Sequence, residues 1–236
     1  MAAFNDSDKK FELYYFPLKA KGLGVALLAQ YSGIPWDGPK SLNFDVRANW
    51  KAMKASGDCA FGQLPYLKTA GGLGINQTTA IVNYISKLAG TKLEGANEDD
   101  WIMSQMLVAE AEDLYAALQK YQPTLYVKLG QADRFKADLE GHKKYWTEWV
   151  PKQFALIETL FRGKPHFTST GFTAGEIMLF AYLHQMDLVQ PVDMFHGCPK
   201  LLSWYQVMLK DEDAKCVLQG ESNFGYLGDY FVKVEW

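Results

Sequence analysis

Several features that mark common protein classes are missing from this chain of 236 residues. Its three cysteines, Cys59, Cys198 and Cys216, are an odd number without C-x-x-C spacing. This argues against a disulfide framework and a zinc site, and it fits a reducing, cytoplasmic location. No apolar run is long enough to span a membrane, and residues 1–10 lack the apolar core of a signal peptide.

An excess of positive charge is also missing, since 24 Lys and Arg residues face 27 Asp and Glu residues and the net charge is −3. This gives no indication of binding to nucleic acid or to an anionic membrane. The four histidines are scattered without metal-ligand spacing, so no metal is expected. The length of 236 residues is enough for one large domain or for a small domain and a larger one, and the 48% of apolar residues can form a sizeable core.

The first third of the sequence alternates extended and helical patterns in the order β-α-β-α-β-β-α. Crossovers between the early strands predict parallel pairing, and the turn Ala70-Gly71-Gly72 predicts an antiparallel hairpin at the end. The predicted strands are residues 11–16, 41–44, 64–69 and 73–75, and the predicted helices are residues 22–31, 47–54 and 77–88.

After a predicted linker at residues 91–97, nearly all of the sequence has a helical pattern. We expect long helices at residues 98–121 and 132–161, the second kinked or restarted at Pro151. A capping box from Thr173 to Glu176 opens an apolar, central helix, and two short helices follow at 200–209 and 212–218. The prediction is an α+β protein, with an αβ domain at 1–90 and an all-helical domain at 98–236.

Two short motifs in the first domain point to a ligand. Gln63-Leu64-Pro65 precedes a predicted strand, and a proline there belongs at a sheet edge or a turn and is compatible with a cis bond. An edge would let an extended peptide dock on the backbone. Gln77-Thr78 opens a helix, whose free N–H groups favour a carboxylate. Together they predict a slot for a small, anionic, peptide-like ligand.

Four motifs occur in the order and near the spacing of a known family. They are Leu13-Tyr14-Tyr15-Phe16, the segment from Trp50 to Lys54, Gln63-Leu64-Pro65 and Gln77-Thr78. With them the whole chain resembles the cytosolic glutathione transferases of the tyrosine type, and the sigma-like group most. The resemblance implies a thioredoxin-like domain before the helical one, glutathione as co-substrate and a homodimer.

The resemblance makes Tyr15 the catalytic residue, as donor of a hydrogen bond to the glutathione sulfur. A free thiol has a pKa of about 8.5, and the attacking species is the thiolate. A hydrogen bond to a charged partner contributes roughly 1.5–3 kcal/mol, enough for a pKa shift of about one or two units. Tyr14 is the rival, and because neighbours in a strand point to opposite faces, only one of them can face the ligand. The alternative for Tyr15 is an ordinary core aromatic.

The resemblance also assigns the residues that hold glutathione. Leu64 would pair with the cysteinyl unit through its backbone, Gln77 and Thr78 would hold the γ-glutamyl carboxylate, and Trp50 and Lys54 the glycyl carboxylate, near Gln63. Ordinary helix capping by Thr78 and an exposed helix face at Trp50 and Lys54 are the alternatives. Across the dimer interface, Asp113 of one subunit would reach the amine of the other's glutathione. Glu110 and Glu112 compete for that role.

The same resemblance places an electrophile pocket beside Phe16 and Pro17, lined by some of Met106, Tyr115 and Leu118 from the helical domain. The chain departs from the family where Lys19-Ala20-Lys21 replaces Arg-Gly-Arg and where Gly175-Glu176 replaces Ala-Asp. The aromatic tail after Gly220 could cover this pocket or pack on the helical domain, and packing is the expectation.

The resulting hypothesis is a cytoplasmic glutathione transferase that activates the thiol with Tyr15 and conjugates it to apolar electrophiles, a detoxification activity. No cysteine lies at the first strand-to-helix turn, which argues against a thiol-based mechanism. Glutathione-dependent isomerisation or peroxide reduction in the same pocket is an alternative. A non-catalytic ligand carrier or structural protein of the same fold is another.

Overall fold

A computed structural model describes residues 10–125, 139–161 and 164–234. The first part of the predicted helix 132–161, residues 132–138, therefore lies outside the described residues.

The N-terminal part contains a four-stranded mixed sheet. Its strands are β1 (Phe11–Tyr14), β2 (Trp36–Asp37), β3 (Tyr66–Thr69) and β4 (Gly74–Asn76). The spatial order is β2-β1-β3-β4, with β1 parallel to β2 and antiparallel to β3, and β3 antiparallel to β4. The predicted element order, the parallel pair and the final hairpin are confirmed.

Two expectations about the sheet were wrong. Residues 41–44 are not a strand, because Gly38 and Pro39 start a turn in which their carbonyls accept hydrogen bonds from Leu42 N and Phe44 N, both at 2.9 Å. The second strand lies earlier, at β2. Moreover, of the two places that the sequence allows for Pro65, a sheet edge or a turn, the edge was wrong, because β3 is an interior strand. Pro65 precedes the first residue of β3, where the ladder needs no N–H donor, and follows a cis Leu64–Pro65 bond.

Helices flank the sheet and link it to the second part of the chain. They are α1 (Gly22–Ser32), α2 (Val46–Ala55), α3 (Thr78–Ala89) and α4 (Thr91–Glu94). The first three match predicted helices to within two residues at each end. The fourth is a single turn inside the segment predicted as a linker, where Glu94 N and Leu93 N bond back to the Gly90 carbonyl at 2.9 and 3.0 Å.

The second part of the chain is helical throughout its described regular structure. Its helices are α5 (Glu98–Tyr121), α6 (Leu139–Lys144), α7 (Val150–Thr159), α8 (Ala174–Asp187), α9 (Pro199–Lys210) and α10 (Glu212–Leu218). A π-helical turn, Tyr145–Trp149, joins α6 to α7, and Pro151 lies in the first turn of α7, where a proline needs no donor. The sequence predicts a kink or a restart at Pro151, and the structure instead has a π-helical turn directly before α7, without a break in the helix.

The central helix of the molecule is α8, which packs against both α1 and α5. It begins with the predicted capping box, in which Glu176 accepts from the backbone and hydroxyl of Thr173. Gly175 lets the helix approach α5 closely, because a Cβ there would lie 2.1 Å from the Ser104 carbonyl oxygen. The predicted α+β architecture is therefore present. The domain limits of 1–90 and 98–236 stay a prediction.

The C-terminal segment lies across both parts of the molecule. Gly228 bridges to Leu18 in the loop after β1, and Phe231 bridges to Thr124 just after α5. The segment thus packs on the helical part, as expected, and also against the β1–α1 loop. None of the helices in the described ranges has the length and hydropathy needed to cross a bilayer.

Candidate functional site

The strand register brings three of the predicted motifs to one end of the sheet. Tyr14 pairs with Tyr66, and Tyr66 pairs in turn with Asn76. The residue after Tyr14, the residues before Tyr66 and the residues after Asn76 therefore leave the sheet at the same end. These are Tyr15, Leu64-Pro65 and Gln77-Thr78.

Tyr15 follows β1 on the side of the sheet where α1 begins. Its side chain is 7% exposed and points to the same face as the buried side chains of Phe11 and Leu13. Because side chains alternate along a strand, Tyr14 points to the opposite face. Its hydroxyl oxygen accepts a hydrogen bond of 3.2 Å from the backbone N–H of Lys21. Helix α1 can start this close because residue 22 is glycine: a Cβ there would lie 2.4 Å from the Tyr15 ring.

The side chain of Lys21 ties this loop to the helical part. Its ammonium pairs with Glu112 of α5 and lies 4.9 Å from the ring centroid of Tyr115. The hydroxyl of Tyr182 donates to the other Glu112 oxygen at 2.9 Å. Burial, and then the Glu112 carboxylate, raise the pKa of Tyr182 well above its ordinary value, so it stays a donor. Lys21 thus contacts Tyr15 through its backbone and α5 through its side chain.

A small hydrogen-bonded cluster holds the loop before β3. The amide of Asn76 donates to the Gln63 carbonyl at 2.8 Å and to the Cys59 sulfur at 3.2 Å. The Gln77 amide reaches the Gln63 side-chain oxygen at 3.4 Å. Leu64 follows, half-buried against the core. The two predicted glutamines therefore lie side by side at this end of the sheet.

The start of α3 presents polar groups to the same region. Gln77 has a φ of +71°, a left-handed conformation that is unusual for a residue other than glycine. Its carbonyl accepts the first helical hydrogen bond, from Ile81 N at 3.0 Å. The N–H groups of Thr78, Thr79 and Ala80 precede that bond and have no acceptor within the helix. These are the N–H groups at which the sequence predicts a bound carboxylate.

Helix α2 carries the predicted pair Trp50 and Lys54 on one face, four residues apart. The Lys54 ammonium lies 5.3 Å from the Trp50 ring centroid. Its aliphatic chain passes Gly62, since a Cβ at that glycine would lie 3.9 Å from Lys54 Cδ. Because Gly62 precedes Gln63, the ammonium of Lys54 and the Gln63–Gln77 pair belong to one surface.

The long helix α5 places its predicted site residues on two faces. Tyr115 is buried, and its ring lies 4.8 Å from that of Tyr182. Burial, and then the neighbouring Tyr15, raise the pKa of Tyr115 above its ordinary value. Met106 is half-exposed and lies with Phe161 and Phe167 instead. Nine helical residues turn the chain by about two and a half revolutions, so Met106 and Tyr115 point in opposite directions. The structure does not bring Met106 into a shared pocket with Tyr115.

The three acidic candidates on α5 also differ in their surroundings. Glu112 is engaged inside the chain by Lys21 and Tyr182. Asp113 is exposed, and Glu110 is half-buried one turn before it. Burial, followed by the Asp113 charge, raises the pKa of the Glu110 carboxyl. Asp113 is thus the more fully hydrated carboxylate of the two that face outward.

The C-terminal segment also contributes to this site, which the sequence analysis had given only as the alternative to packing on the helical domain. Phe231 packs edge-on against Tyr115, with ring centroids 5.9 Å apart. Asp229 pairs with Lys19, and the backbone of Gly228 bonds to Pro17 O and Lys19 N at 3.0 and 2.8 Å. Phe16 therefore lies in a loop that is held by the tail. In the sequence, the aromatic composition of the tail was the feature that could have indicated this contact.

The positive groups of this surface suit a ligand with two carboxylates. Lys54 and the first turn of α3 supply positive potential at two separate points, and Asp113 carries a negative charge on an outer face. Within the described ranges, no three His, Cys, Asp or Glu side chains are grouped so as to hold a metal ion.

Comparisons with known proteins agree with these observations. Residues 131–206 match the family model described as "Glutathione S-transferase, C-terminal domain". The chain is 31% identical over 216 residues to a glutathione S-transferase of Anopheles gambiae, covering 88% of this chain and 95% of the relative. It is 26% identical over 199 residues to glutathione S-transferase P 1 of Xenopus laevis, covering 84% and 83%.

A solved structure, the glutathione S-transferase from Ascaris lumbricoides, superposes with a TM-score of 0.70 at 21% identity, covering 89% of this chain and 97% of that one. This likeness shows the fold, a thioredoxin-like domain followed by a helical domain. Together with the identity to the Anopheles protein over most of both chains, it shows that the chain belongs to the cytosolic glutathione S-transferase superfamily.

Proposed function

We propose that this enzyme, a glutathione transferase by family, activates the thiol of glutathione with the Tyr15 hydroxyl. The observation that supports this is the 3.2 Å hydrogen bond from Lys21 N to the Tyr15 oxygen. A phenol has one donor and two acceptor positions. The Lys21 N–H uses an acceptor position, so it does not compete for the O–H donor. It also withdraws electron density from the oxygen and strengthens that donor.

The O–H of Tyr15 donates to the glutathione sulfur and favours the thiolate over the thiol. The thiol proton leaves to water, and the sulfur lone pair forms the new carbon–sulfur bond. In a substitution the leaving group departs with the electrons of the bond that breaks. A hydrogen bond to a charged acceptor contributes about 1.5–3 kcal/mol, which corresponds to a rate factor of about 10- to 150-fold at neutral pH.

The remaining predicted residues hold the tripeptide in this proposal. Thr78 and the free N–H groups of α3, next to Gln77, bind the γ-glutamyl carboxylate. Leu64 pairs its backbone with the cysteinyl unit. Trp50 and Lys54, beside Gln63, bind the glycyl carboxylate. The left-handed backbone of Gln77 supports this role, because strained non-glycine residues cluster at ligand sites.

The second substrate in this proposal is an apolar electrophile. The rings of Phe16, Tyr115 and Phe231 lie around the loop that follows Tyr15. Aromatic walls favour flat, apolar molecules over hydrated ones. Conjugation of such molecules makes them more polar, which is the chemistry of detoxification.

A homodimer in the cytoplasm completes the proposal. Ile102 and Met106 are 44% and 50% exposed on the face of α5 that carries Asp113, since spacings of four and seven residues return to the same face. This exposed apolar stripe supports a contact between two copies, with Asp113 reaching the partner's glutathione. The three free cysteines fit a reducing compartment.

The decisive experiment is glutathione conjugation to a chloronitrobenzene by the wild type and Tyr15→Phe across pH. We expect kcat to fall by about 10- to 150-fold at pH 6.5, while the variant still binds immobilised glutathione. The midpoint of the rate–pH curve should move upward, because the thiol pKa loses its hydrogen-bond donor. At high pH the two rates should converge.

Other results would select the alternatives. A variant with unchanged activity at every pH would refute the role of Tyr15. A wild type that binds glutathione but does not conjugate would be assayed for glutathione-dependent isomerisation and peroxide reduction. Absence of all three activities would indicate a non-catalytic carrier or structural protein.

A further inference from the structure

The face of the sheet opposite to Tyr15 borders a second cavity, of about 470 Å³. Side chains alternate along strands, so Glu12 and Tyr14 of β1 lie on this face together with Tyr66 and Lys68 of β3. The register places Tyr14 opposite Tyr66 and Glu12 opposite Lys68. The cavity has the volume of an ordinary small-molecule site, roughly 300–1,000 Å³, and it takes no part in the proposed reaction.

Helix α2 forms the other wall of this cavity. Asn49, Ala52, Met53 and Ser56 line it at spacings of three, one and three residues, which is one face of a helix. None of the residues of α2 is fully buried. The helix thus lies over the sheet without packing tightly on it, and the space between them is accessible to a ligand.

Three aromatic rings form a corner in the cavity. The rings of Tyr14 and Phe44 meet at 80° with centroids 5.2 Å apart. The rings of Tyr14 and Tyr66 are tilted by 44° at 5.7 Å. All three residues line the cavity. Aromatic faces carry negative partial charge and attract cations within about 6 Å, so a corner of such rings favours a positively charged ligand.

The ionised groups around the corner also give it a negative potential. Tyr14 donates its hydroxyl to Glu12, and Asp58 lines the cavity beside Ser56, which donates to it at 2.9 Å. Lys68 also lines the cavity and lies opposite Glu12 in the register, so its ammonium offsets the charge of Glu12. Asp58 supplies the carboxylate among the lining residues. Burial and then Glu12 raise the pKa of Tyr14, and burial and then Asp58 raise that of Tyr66.

We propose that this cavity is a binding site for a small organic cation, such as a quaternary or protonated amine. The ammonium group lies in the corner formed by Tyr14, Phe44 and Tyr66 and faces the Asp58 carboxylate. The apolar part of the ligand lies against Met53 and Leu42. The site is separate from that for glutathione, because β1 directs Tyr14 and Tyr15 to opposite faces of the sheet.

The test compares choline with its neutral isostere 3,3-dimethylbutan-1-ol by isothermal titration calorimetry on the full chain. The titrations are run in saturating glutathione, so that the glutathione site is occupied. Cation–π attraction predicts that choline binds about 3- to 30-fold more tightly than the isostere. Equal affinities for the two probes, or no saturable binding of choline, would overturn the proposal. This comparison does not depend on any variant or on the role of Tyr15.

Two variants locate the site. Phe44→Ala and Asp58→Asn should each weaken choline binding by about 3- to 30-fold. Because Asp58 is exposed and Phe44 is only half-buried, we expect both variants to fold. Glu98→Gln, which removes an exposed charge from α5, is the matched control and should leave the affinity unchanged. If choline binding survives Phe44→Ala, the cation does not occupy this cavity. Thermal unfolding of each variant verifies that it is folded.

Discussion

Lys21 and Glu112 form an ion pair that joins the loop after the first strand to the long helix of the second domain. The same lysine donates its backbone N–H to Tyr15, and the same glutamate accepts from Tyr182. One pair therefore sets the position of the proposed catalytic hydroxyl relative to the helical wall of the site.

Breaking this pair should destabilise the protein. The two side chains are 32% and 23% exposed, so we expect a loss of about 1–3 kcal/mol for Lys21→Met or Glu112→Gln, between the values for surface and buried pairs. Urea unfolding at fixed protein concentration measures it, and the double variant gives the coupling energy. Lys215→Met, in the exposed pair with Glu212, should cost less than about 1 kcal/mol. Equal losses at both pairs would contradict the prediction.

Substitution of Tyr14 should affect the rate of conjugation far less than substitution of Tyr15. Tyr14→Phe removes a hydroxyl that donates to Glu12 on the far face of the sheet. We expect its kcat/KM for conjugation to stay within about twofold of the wild type. A loss comparable to that of Tyr15→Phe would show that the wrong tyrosine has been assigned.

Asp113 should affect glutathione binding rather than the chemical step. Asp113→Asn is expected to raise the KM for glutathione by about 3- to 10-fold at unchanged kcat, as for the loss of one charge-assisted hydrogen bond. Glu110→Gln serves as the control, because that carboxyl is half-buried in its own subunit. If Glu110→Gln raised the KM for glutathione more than Asp113→Asn does, Glu110 would be the residue that binds the amine of glutathione.

Acid should weaken the fold through His184. Burial, and next the Lys19 ammonium, lower the pKa of His184 from 6.5 to about 4. The unfolded chain therefore binds more protons between these values, and stability is present above pH 6.5 and is lost as the pH falls toward 4. The contribution is up to about 3 kcal/mol. His184→Gln should flatten the pH dependence of urea unfolding between pH 6.5 and 4.5, and an unchanged slope would contradict this.

Gly175 should be intolerant of a methyl group. A Cβ there would lie 2.1 Å from the Ser104 carbonyl oxygen and 2.8 Å from Leu107 Cβ, so Gly175→Ala must push α8 away from α5. We expect a loss of about 1–3 kcal/mol or more. Gly71→Ala is the control, since its new methyl would meet only Thr69 at 3.9 Å, and it should change stability by less than about 0.5 kcal/mol. A harmless Gly175→Ala would show that α8 can shift without cost.

The sequence predicted those helices and strands that are determined by residues close together in the chain. Proline, glycine and capping residues set where α1, α5 and α8 begin or end, and hydrophobic periodicity identified them as helices. The turn at Gly38 and Pro39 escaped this reasoning, because residues 41–44, which follow it, alternate polar and apolar side chains as a strand does. The motifs around Tyr15, Gln63 and Gln77 were recognisable because each depends on a few adjacent residue types.

Tertiary structure decided which of those residues meet. Met106 and Tyr115 share one helix, and only the packing of α5 shows that Tyr115 faces Lys21 while Met106 faces outward. The pairing of Lys21 with Glu112 and the position of Phe231 on Tyr115 join residues that are 91 and more positions apart. The sequence determined the strands, the helices and the chemical groups at their ends, because neighbouring residues control these. The composition of the pocket depended on how the helices and the tail pack, because contacts between distant residues follow from the whole fold.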